Sequence, residues 1–277
     1  MGALAGFSGI PKGRRDSLIC YEFQTLVGQG ESERESSRAS NVRYMEPMQD
    51  KKHIPLVQRV EYLKDICKGK SVLHLGCTNW PYTDIVLNEG TLLHLQLSDI
   101  ASELYGFDAD QEGLDVLTAR GVPNLFRADL ERLDEVPLDR TFDVILAGEM
   151  IEHLSNPGLF LRGIKRFMRA NSTLVITTIN AYGGARMFLY SLRGRGGSIE
   201  PVHPDHVAYY SYSTIHHIIS RENIKAKRFL FYDIGPEHRP HNRFYINWVN
   251  DLCMFFAPQL ADGIIVECEL AEAEVSA

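Results

Sequence analysis

The chain has 277 residues, 44% of them hydrophobic and 23% charged, a composition that supports one large domain or two small ones and excludes a disordered or fibrous protein. Its 29 Lys+Arg against 36 Asp+Glu give a net charge of −7, which opposes tight nonspecific binding to a polyanion. No run approaches the roughly 18 consecutive apolar residues of a membrane span. Even the stretch from Trp248 to Ala257 is broken by Asn250 and Asp251. Arg14-Arg15 are followed by no apolar core of about 7–15 residues, so neither a secretory nor a twin-arginine signal is expected and the cytoplasm is the default compartment. Five cysteines (Cys20, Cys67, Cys77, Cys253, Cys268) are scattered without C-x-x-C spacing, which points to buried free thiols rather than a disulfide framework or a zinc ribbon.

In chain order, residues 31–41 (ESERESSRASN) hold only Ala39 as an apolar residue and cannot contribute to a core, so residues 1–44 read as a flexible extension. From Leu56, apolar residues at 56, 60, 63 and 67 recur at helical spacing and predict a helix that stops at Lys68-Gly69-Lys70. Short apolar runs then predict strands at Ser71–Leu75, Leu104–Asp108, Asn124–Ala128, Phe142–Ala147 and Thr173–Ile179. Amphipathic stretches between them predict helices within Thr91–Glu103, over Gln111–Arg120 and over Gly158–Arg169. Beyond these, a helix at Thr214–Ser220, strands at Ile224–Tyr232 and Gly263–Leu270, and an aromatic helix at Phe244–Phe256 are expected. Strand and helix in alternation mean a parallel α/β sheet with crossover helices, a single domain over residues 45–277.

Two acidic residues stand at strand ends where doubly wound sheets bind nucleotides. Val72-Leu73-His74-Leu75-Gly76-Cys77 runs from a strand into a glycine turn, and Asp108 closes the second strand about 30 residues on, where a carboxylate can accept hydrogen bonds from ribose hydroxyls. Asp129 ends the third strand, and Phe142-Asp143-Val144-Ile145-Leu146 opens the fourth.

From about Leu56 to the C-terminus, this order of segments resembles the class I S-adenosylmethionine-dependent methyltransferases, in particular the small-molecule types. The resemblance implies a Rossmann-like seven-stranded sheet with helices on both faces, closed by an antiparallel pair at one edge, and S-adenosylmethionine as cofactor. It implies that His74, Gly76, Cys77, Thr78 and Tyr82 face the methionine part, Asp108 and Ala109 the ribose, and Asp129 and Leu130 the adenine, with Ala147 and Gly148 completing the site. Where the family shows an acidic residue and G-C-G-x-G, this chain has His74 and Gly76-Cys77-Thr78-Asn79-Trp80. Two glycines that permit positive φ and close ligand approach are missing, and Trp80 has to turn away or lie over the cofactor.

A second constellation is Glu149-x-x-Glu152-His153 with the distal His203-Pro204-Asp205-His206. On a helix the i, i+3, i+4 spacing puts both carboxylates and the imidazole on one face. With His206, Glu149, Glu152 and His153 form a plausible octahedral set for Mg²⁺ or Mn²⁺. The pattern resembles the metal site of methyltransferases acting on vicinal hydroxyls, in small-RNA 3′-end 2′-O-methylation and in the ubiquinone pathway, where the metal lowers the pKa of the attacked hydroxyl. Methyl transfer to an alcohol needs a base near neutral pH, and the candidates are His206, His203 and His153. Tyr209, Tyr210 and Tyr212 can line a sugar or aromatic pocket. The stretch through Tyr182-Gly183-Gly184, Arg186 and Arg193-Gly194-Arg195 reads as a Gly-rich basic loop suited to a lid or a phosphate contact.

The expectation is O-methylation of a sugar, glycan precursor or other small hydroxylated metabolite. Arg193 and Arg195 leave RNA 2′-O-methylation as an alternative, against which stand the chain's acidity and the lack of an RNA-binding module. Thr78 and Trp80 in the cofactor turn leave a non-catalytic binding subunit as another.

Overall fold

The computed structural model describes residues 54–194, 205–235 and 239–271. The extension expected over residues 1–44 lies outside them, as do His203, Arg195 and Cys20. The elements in order are β1 (Leu56–Val57), α1 (Arg59–Cys67), β2 (Ser71–Leu75), α2 (Thr83–Glu89), α3 (Leu93–Ser98), β3 (Glu103–Asp108), α4 (Gln111–Ala119) and β4 (Leu125–Arg127). There follow β5 (Val144–Gly148), α5 (Pro157–Ile164), β6 (Thr173–Ile179), α6 (Gly184–Arg193), α7 (Tyr212–Arg221), β7 (Ile224–Tyr232), α8 (Phe244–Phe256) and β8 (Gly263–Leu270).

The strands form one sheet in the order β1-β7-β8-β6-β5-β2-β3-β4, antiparallel only where β8 runs between β6 and β7. The expected seven strands are present, and Leu56–Val57 adds an eighth beside Phe231 and Tyr232 instead of opening the helix. β5 and β6 are apolar almost throughout because helices cover both faces of the central strands, the usual condition of parallel sheets. β7 instead alternates at its start, with Ile224 and Ala226 inside and Lys225 and Lys227 outside, as befits a strand near the edge. A register shift between Ala226 and Arg228 marks where the alternation ends.

Helix starts follow local chemistry. The Asp110 side chain accepts from the Gly113 amide to begin α4. Asn156 accepts from Leu159 ahead of Pro157 at the start of α5, and Ser211 and Thr214 form a reciprocal capping box for α7. Each such cap stabilises by about 1 kcal/mol. The stretch from Gly184 to Arg193, read as a loop, is helix α6: Ala185, Phe188, Leu189 and Leu192 carry a 3.6-residue repeat that flanking glycines obscure. α2 likewise lies where no helix is expected from sequence.

Two core layers sandwich the sheet, one built on Phe107, Phe142, Phe160 and Phe167, the other on Leu63, Leu97, Leu146 and Val175. Among the described residues Cys67, Cys77 and Cys268 are buried free thiols and Cys253 is half-buried. Gly263 opens β8 under the ring of Tyr232: a Cβ there would lie 1.9 Å from Cζ and 2.2 Å from the phenol oxygen. Tyr232 is itself buried and cannot retreat. Gly263→Ala is therefore expected to destabilise the fold by about 3 kcal/mol, read as a lower urea midpoint; an unchanged midpoint would show that the β7–β8 corner can relax.

Candidate functional site

Chain order reverses between β2 and β5, so their carboxyl ends frame the crevice in which open α/β sheets bind ligands. Gly76 leaves β2 at φ 73°, and a Cβ built on it would meet nothing closer than Met150 Cβ at 4.0 Å. Gly148 at the end of β5 is equally open, its nearest neighbour being Thr177 Oγ1 at 4.0 Å. Open space at both glycines, on neighbouring strand ends, fits a ligand lying across the β2 and β5 turns.

The side chains around these glycines are largely committed to the protein. Gly76 and Cys77 donate their amides to the Phe107 carbonyl. The Cys77 thiol packs inward against Gly106. His74 turns away from the crevice and meets His94, Nδ1 to Nδ1 at 3.2 Å with stacked rings. Burial, then the neighbouring imidazole, hold the His74 pKa well below the usual value, and burial lowers that of His94 to about 4. Thr78 donates its amide (2.9 Å) and hydroxyl (2.8 Å) to Asp108 Oδ2, and the Asp110 amide donates to Oδ1 at 3.0 Å. A carboxylate offers about four lone-pair sites, so three of those of Asp108 lock the β2 turn to the β3 end. One lone-pair site of Asp108 is left for the ribose it is expected to meet, whereas the His74, Cys77 and Thr78 side chains, expected to face the methionine part, are committed to His94, to packing on Gly106 and to Asp108. Tyr82, Trp80, Ala109 and Asp129 are exposed on the rim, with Leu130 half-buried, and Ala147 is buried within β5.

The Glu149 to His153 segment is not an α-helix. Only Ile151–His153 makes a short 3-10 turn, and Glu149 sits at φ 50°, in the left-handed region that side chains disfavour. This rotation separates the two carboxylates. Glu149 accepts from the Tyr232 phenol and lies 3.8 Å from the Arg59 guanidinium, which also covers the Tyr232 ring. These three, with Ile179, Asp233 and Asp262, line a cavity of about 100 Å³, below the ~300 Å³ of an ordinary cofactor site. Glu149 thus leaves the expected metal set.

The other three come together. Glu152, His153 and His206 offer ligand atoms that all lie within 4.8 Å of one another, with the His153 and His206 rings edge to face at 4.6 Å. Chain-distant His206 is held there by backbone: the Val207 and Ala208 amides both donate to the Glu152 carbonyl, and Ala181 donates to Tyr210. Glu152 is fully buried; its Oε2 accepts from Thr178 at 2.9 Å, and its Oε1 has no hydrogen-bond partner among the described residues. Burial, then the Glu149 charge, raise its pKa to about 7. A buried oxygen lacking a hydrogen is expensive unless something supplies a positive charge or a proton, and two imidazoles with one carboxylate are a donor set that suits a divalent cation. Of the expected bases, His206 and His153 lie here. Sequence spacing did not reveal Thr178, Tyr232, Arg59 or His94, whose partnerships depend on strand order.

A family model described as "Methyltransferase domain" matches residues 84–176, which span α2 through most of β6. Among curated relatives, the "Ubiquinone biosynthesis O-methyltransferase" of Rickettsia conorii is 26% identical over 132 residues, 46% of this chain and 41% of its own length. That of Proteus mirabilis is 24% identical over 129 residues, 44% of this chain and 48% of its own. The chain thus spans about half or less of the length of the curated relatives it matches. A solved structure described as a SAM dependent methyltransferase from Aquifex aeolicus superposes with a TM-score of 0.47 at 17% identity, covering 76% of this chain and 88% of that one. Residues 84–176 thus match a methyltransferase domain, and the sheet order with its single antiparallel strand and the open glycines at the β2 and β5 ends agree with that match.

Proposed function

We propose that the protein transfers the methyl group of S-adenosylmethionine to a hydroxyl of a small acceptor, a sugar, glycan precursor or similar hydroxylated metabolite. The observation that carries this reading is the meeting of Glu152, His153 and His206 at the carboxyl edge of the sheet, two chain-distant segments joined by backbone hydrogen bonds. The cofactor supplies the electrophile for an in-line displacement, so the protein's tasks are alignment and removal of the hydroxyl proton. Gly76 and Gly148 give the cofactor room, and Asp108 holds the turn between them and the ribose end. His206 or His153 takes the proton near neutral pH, and the buried Glu152 carboxylate stabilises the imidazolium that forms. The names of the relatives support oxygen as the methylated atom.

The donor set also fits Mg²⁺ or Mn²⁺, held by Glu152, His153 and His206, without Glu149. Such an ion would supply positive charge that lowers the pKa of a bound hydroxyl.

Methyl transfer to simple catechols and methyl glycosides, with and without Mn²⁺, tests the reading. His206→Ala is expected to lower kcat by about 10²–10⁴-fold, and Glu152→Gln to abolish calorimetric Mn²⁺ binding. A His206→Asn enzyme with wild-type kcat at neutral pH would remove that residue from the mechanism. Activity untouched by chelator and by Glu152→Gln would remove the metal. The non-catalytic subunit remains a second reading, favoured by the Thr78–Asp108 lock; a folded protein that never binds S-adenosylhomocysteine would establish it. RNA is set aside because the chain as a whole is acidic.

A further inference from the structure

α6 and α8 pack as an antiparallel pair at the carboxyl edge of the sheet. Gly184 at the start of α6 abuts Cys253 near the end of α8 and Leu260 just beyond it, while Arg193 at the end of α6 bonds to Tyr245 at the start of α8. The inward sides of the pair are explained by this contact and by Ala185, Val249 and Asn250, which are buried. The outward sides are not explained by anything the fold does.

Phe244, Trp248, Leu252 and Phe256 recur every fourth residue along α8, which puts them on one stripe, and Phe255 adjoins it. Phe244 and Phe255 are 84% and 81% exposed, and Trp248 is 65% exposed. Met187, Phe188 and Leu192 add a second exposed row on α6. Single exposed apolar residues are unremarkable, but a paired set of this size on adjacent helices marks a surface that is covered in use.

Charge selects the cover. α6 contains no acidic residue, and the only one in α8, Asp251, is held by Arg239. Arg193 and Arg243 stand together at one end of the pair, and neither is in an ion pair with a carboxylate among the described residues. A chain of net charge −7 thus carries its aromatic ridge in a region that is locally basic. Aromatic residues with flanking arginines on a helix that is too short and too polar to span are the make-up of an in-plane interfacial element, and among the described residues no helix is long and apolar enough to cross a membrane.

We propose that the α6–α8 face docks on the surface of an anionic lipid bilayer, with Phe244, Trp248, Phe255 and Phe256 entering the headgroup region and Arg193 and Arg243 meeting lipid phosphates. This does not rest on the methyl-transfer reading, since the docking is measured without cofactor or acceptor.

The full chain, floated with vesicles of phosphatidylcholine and phosphatidylglycerol, is expected to bind with a blue shift of tryptophan fluorescence, more weakly as salt rises. Binding to phosphatidylcholine alone should be at least about tenfold weaker. A Trp248→Ser, Phe255→Ser variant should lose about a hundredfold in partitioning, and an Arg193→Glu, Arg243→Glu variant should lose the preference for phosphatidylglycerol. All four positions are exposed, and circular dichroism confirms that each variant is folded. Absence of vesicle binding by the folded chain overturns the proposal. So does binding that the aromatic variant leaves unchanged. A concentration-dependent dimer that this variant abolishes, without vesicle binding, also overturns it and assigns the face to a second copy.

Discussion

An Asp108→Ala variant is expected to bind S-adenosylhomocysteine about a hundredfold more weakly than the wild type in calorimetric titration, and to lose at least about 4 kcal/mol of stability. Both effects have one origin. The carboxylate is only 8% exposed and accepts from the Thr78 amide, the Thr78 hydroxyl and the Asp110 amide. Truncation strands three donors, and hydrogen bonds to a charged group contribute about 1.5–3 kcal/mol each. The β2 turn then loses the anchor that keeps Gly76 open toward the crevice. Thr78→Ala separates the two effects, because it removes one hydroxyl donor, costs only about 1.5–3 kcal/mol, and returns a lone pair of Asp108 to a ligand. That variant should bind the cofactor product at least as well as wild type. If Asp108→Ala remains folded and binds normally, the carboxylate belongs to the turn alone.

Much of this arrangement is legible in the sequence, and the parts that are not share a cause. β2, β6, β7 and β8 fall at the residues expected: β2, β6 and β8 are runs buried along most of their length, and β7 alternates inside and outside at its start before its buried end. Asp108 and Asp129 likewise sit at or just beyond strand ends as their position in the pattern requires. α6 is hidden by Gly183-Gly184 before it and Gly194 after it, which signal loop while the residues between keep helical period. The Glu149 and Glu152 pairing fails for a different reason. The i, i+3, i+4 spacing places Glu149 and Glu152 on one face only in a continuous α-helix, whereas Glu149 takes a left-handed φ and only Ile151–His153 turns. The buried partners, His94 for His74 and Tyr232 for Glu149, depend on which elements the topology brings together, and no local period contains that information.

The second large effect is acid lability. The buried His74–His94 pair should cost the fold about 3 kcal/mol as pH drops from about 6.5 to about 4, with His94 alone accounting for a loss of that size. Protonation of Glu152, whose pKa is raised to about 7, offsets it in the same window, so the loss is read as the difference in urea midpoint between the wild type and a variant without the imidazoles. The direction follows from proton counting. In the unfolded chain both imidazoles protonate near pH 6.5, whereas in the fold burial keeps them neutral to lower pH. The unfolded state therefore binds more protons in this window, and lowering the pH favours it; above about pH 6.5 the two states bind alike and the effect vanishes. The groups around the pair give no relief, since Arg59 lowers the His74 pKa further and the Cys77 thiol beside His94 is itself buried and neutral. One proton is shared across the 3.2 Å Nδ1 contact, so a second has no acceptor to meet. A His74→Val, His94→Leu variant should hold or gain stability as pH falls through this window, because the fold then takes up the Glu152 proton ahead of the unfolded chain. A profile as steep as that of the wild type would place the acid sensitivity elsewhere.

The backbone clasp at Glu152 has a further implication for how this scaffold can change. Val207 and Ala208 close onto the Glu152 carbonyl, and Ala181 closes onto Tyr210, so the chain between residues 181 and 207 leaves and returns through a fixed pair of gateposts. Whatever is threaded between them, His206 re-enters at the same place. The clasp fixes the two ends of the segment, while α6 within it is tied separately, Gly184 to Cys253, Ala185 into the core and Arg186 to Asp262. A graft into this segment therefore has to keep the α6–α8 contact as well as the clasp, and an exchange that respects both is expected to leave the Glu152–His206 geometry in place.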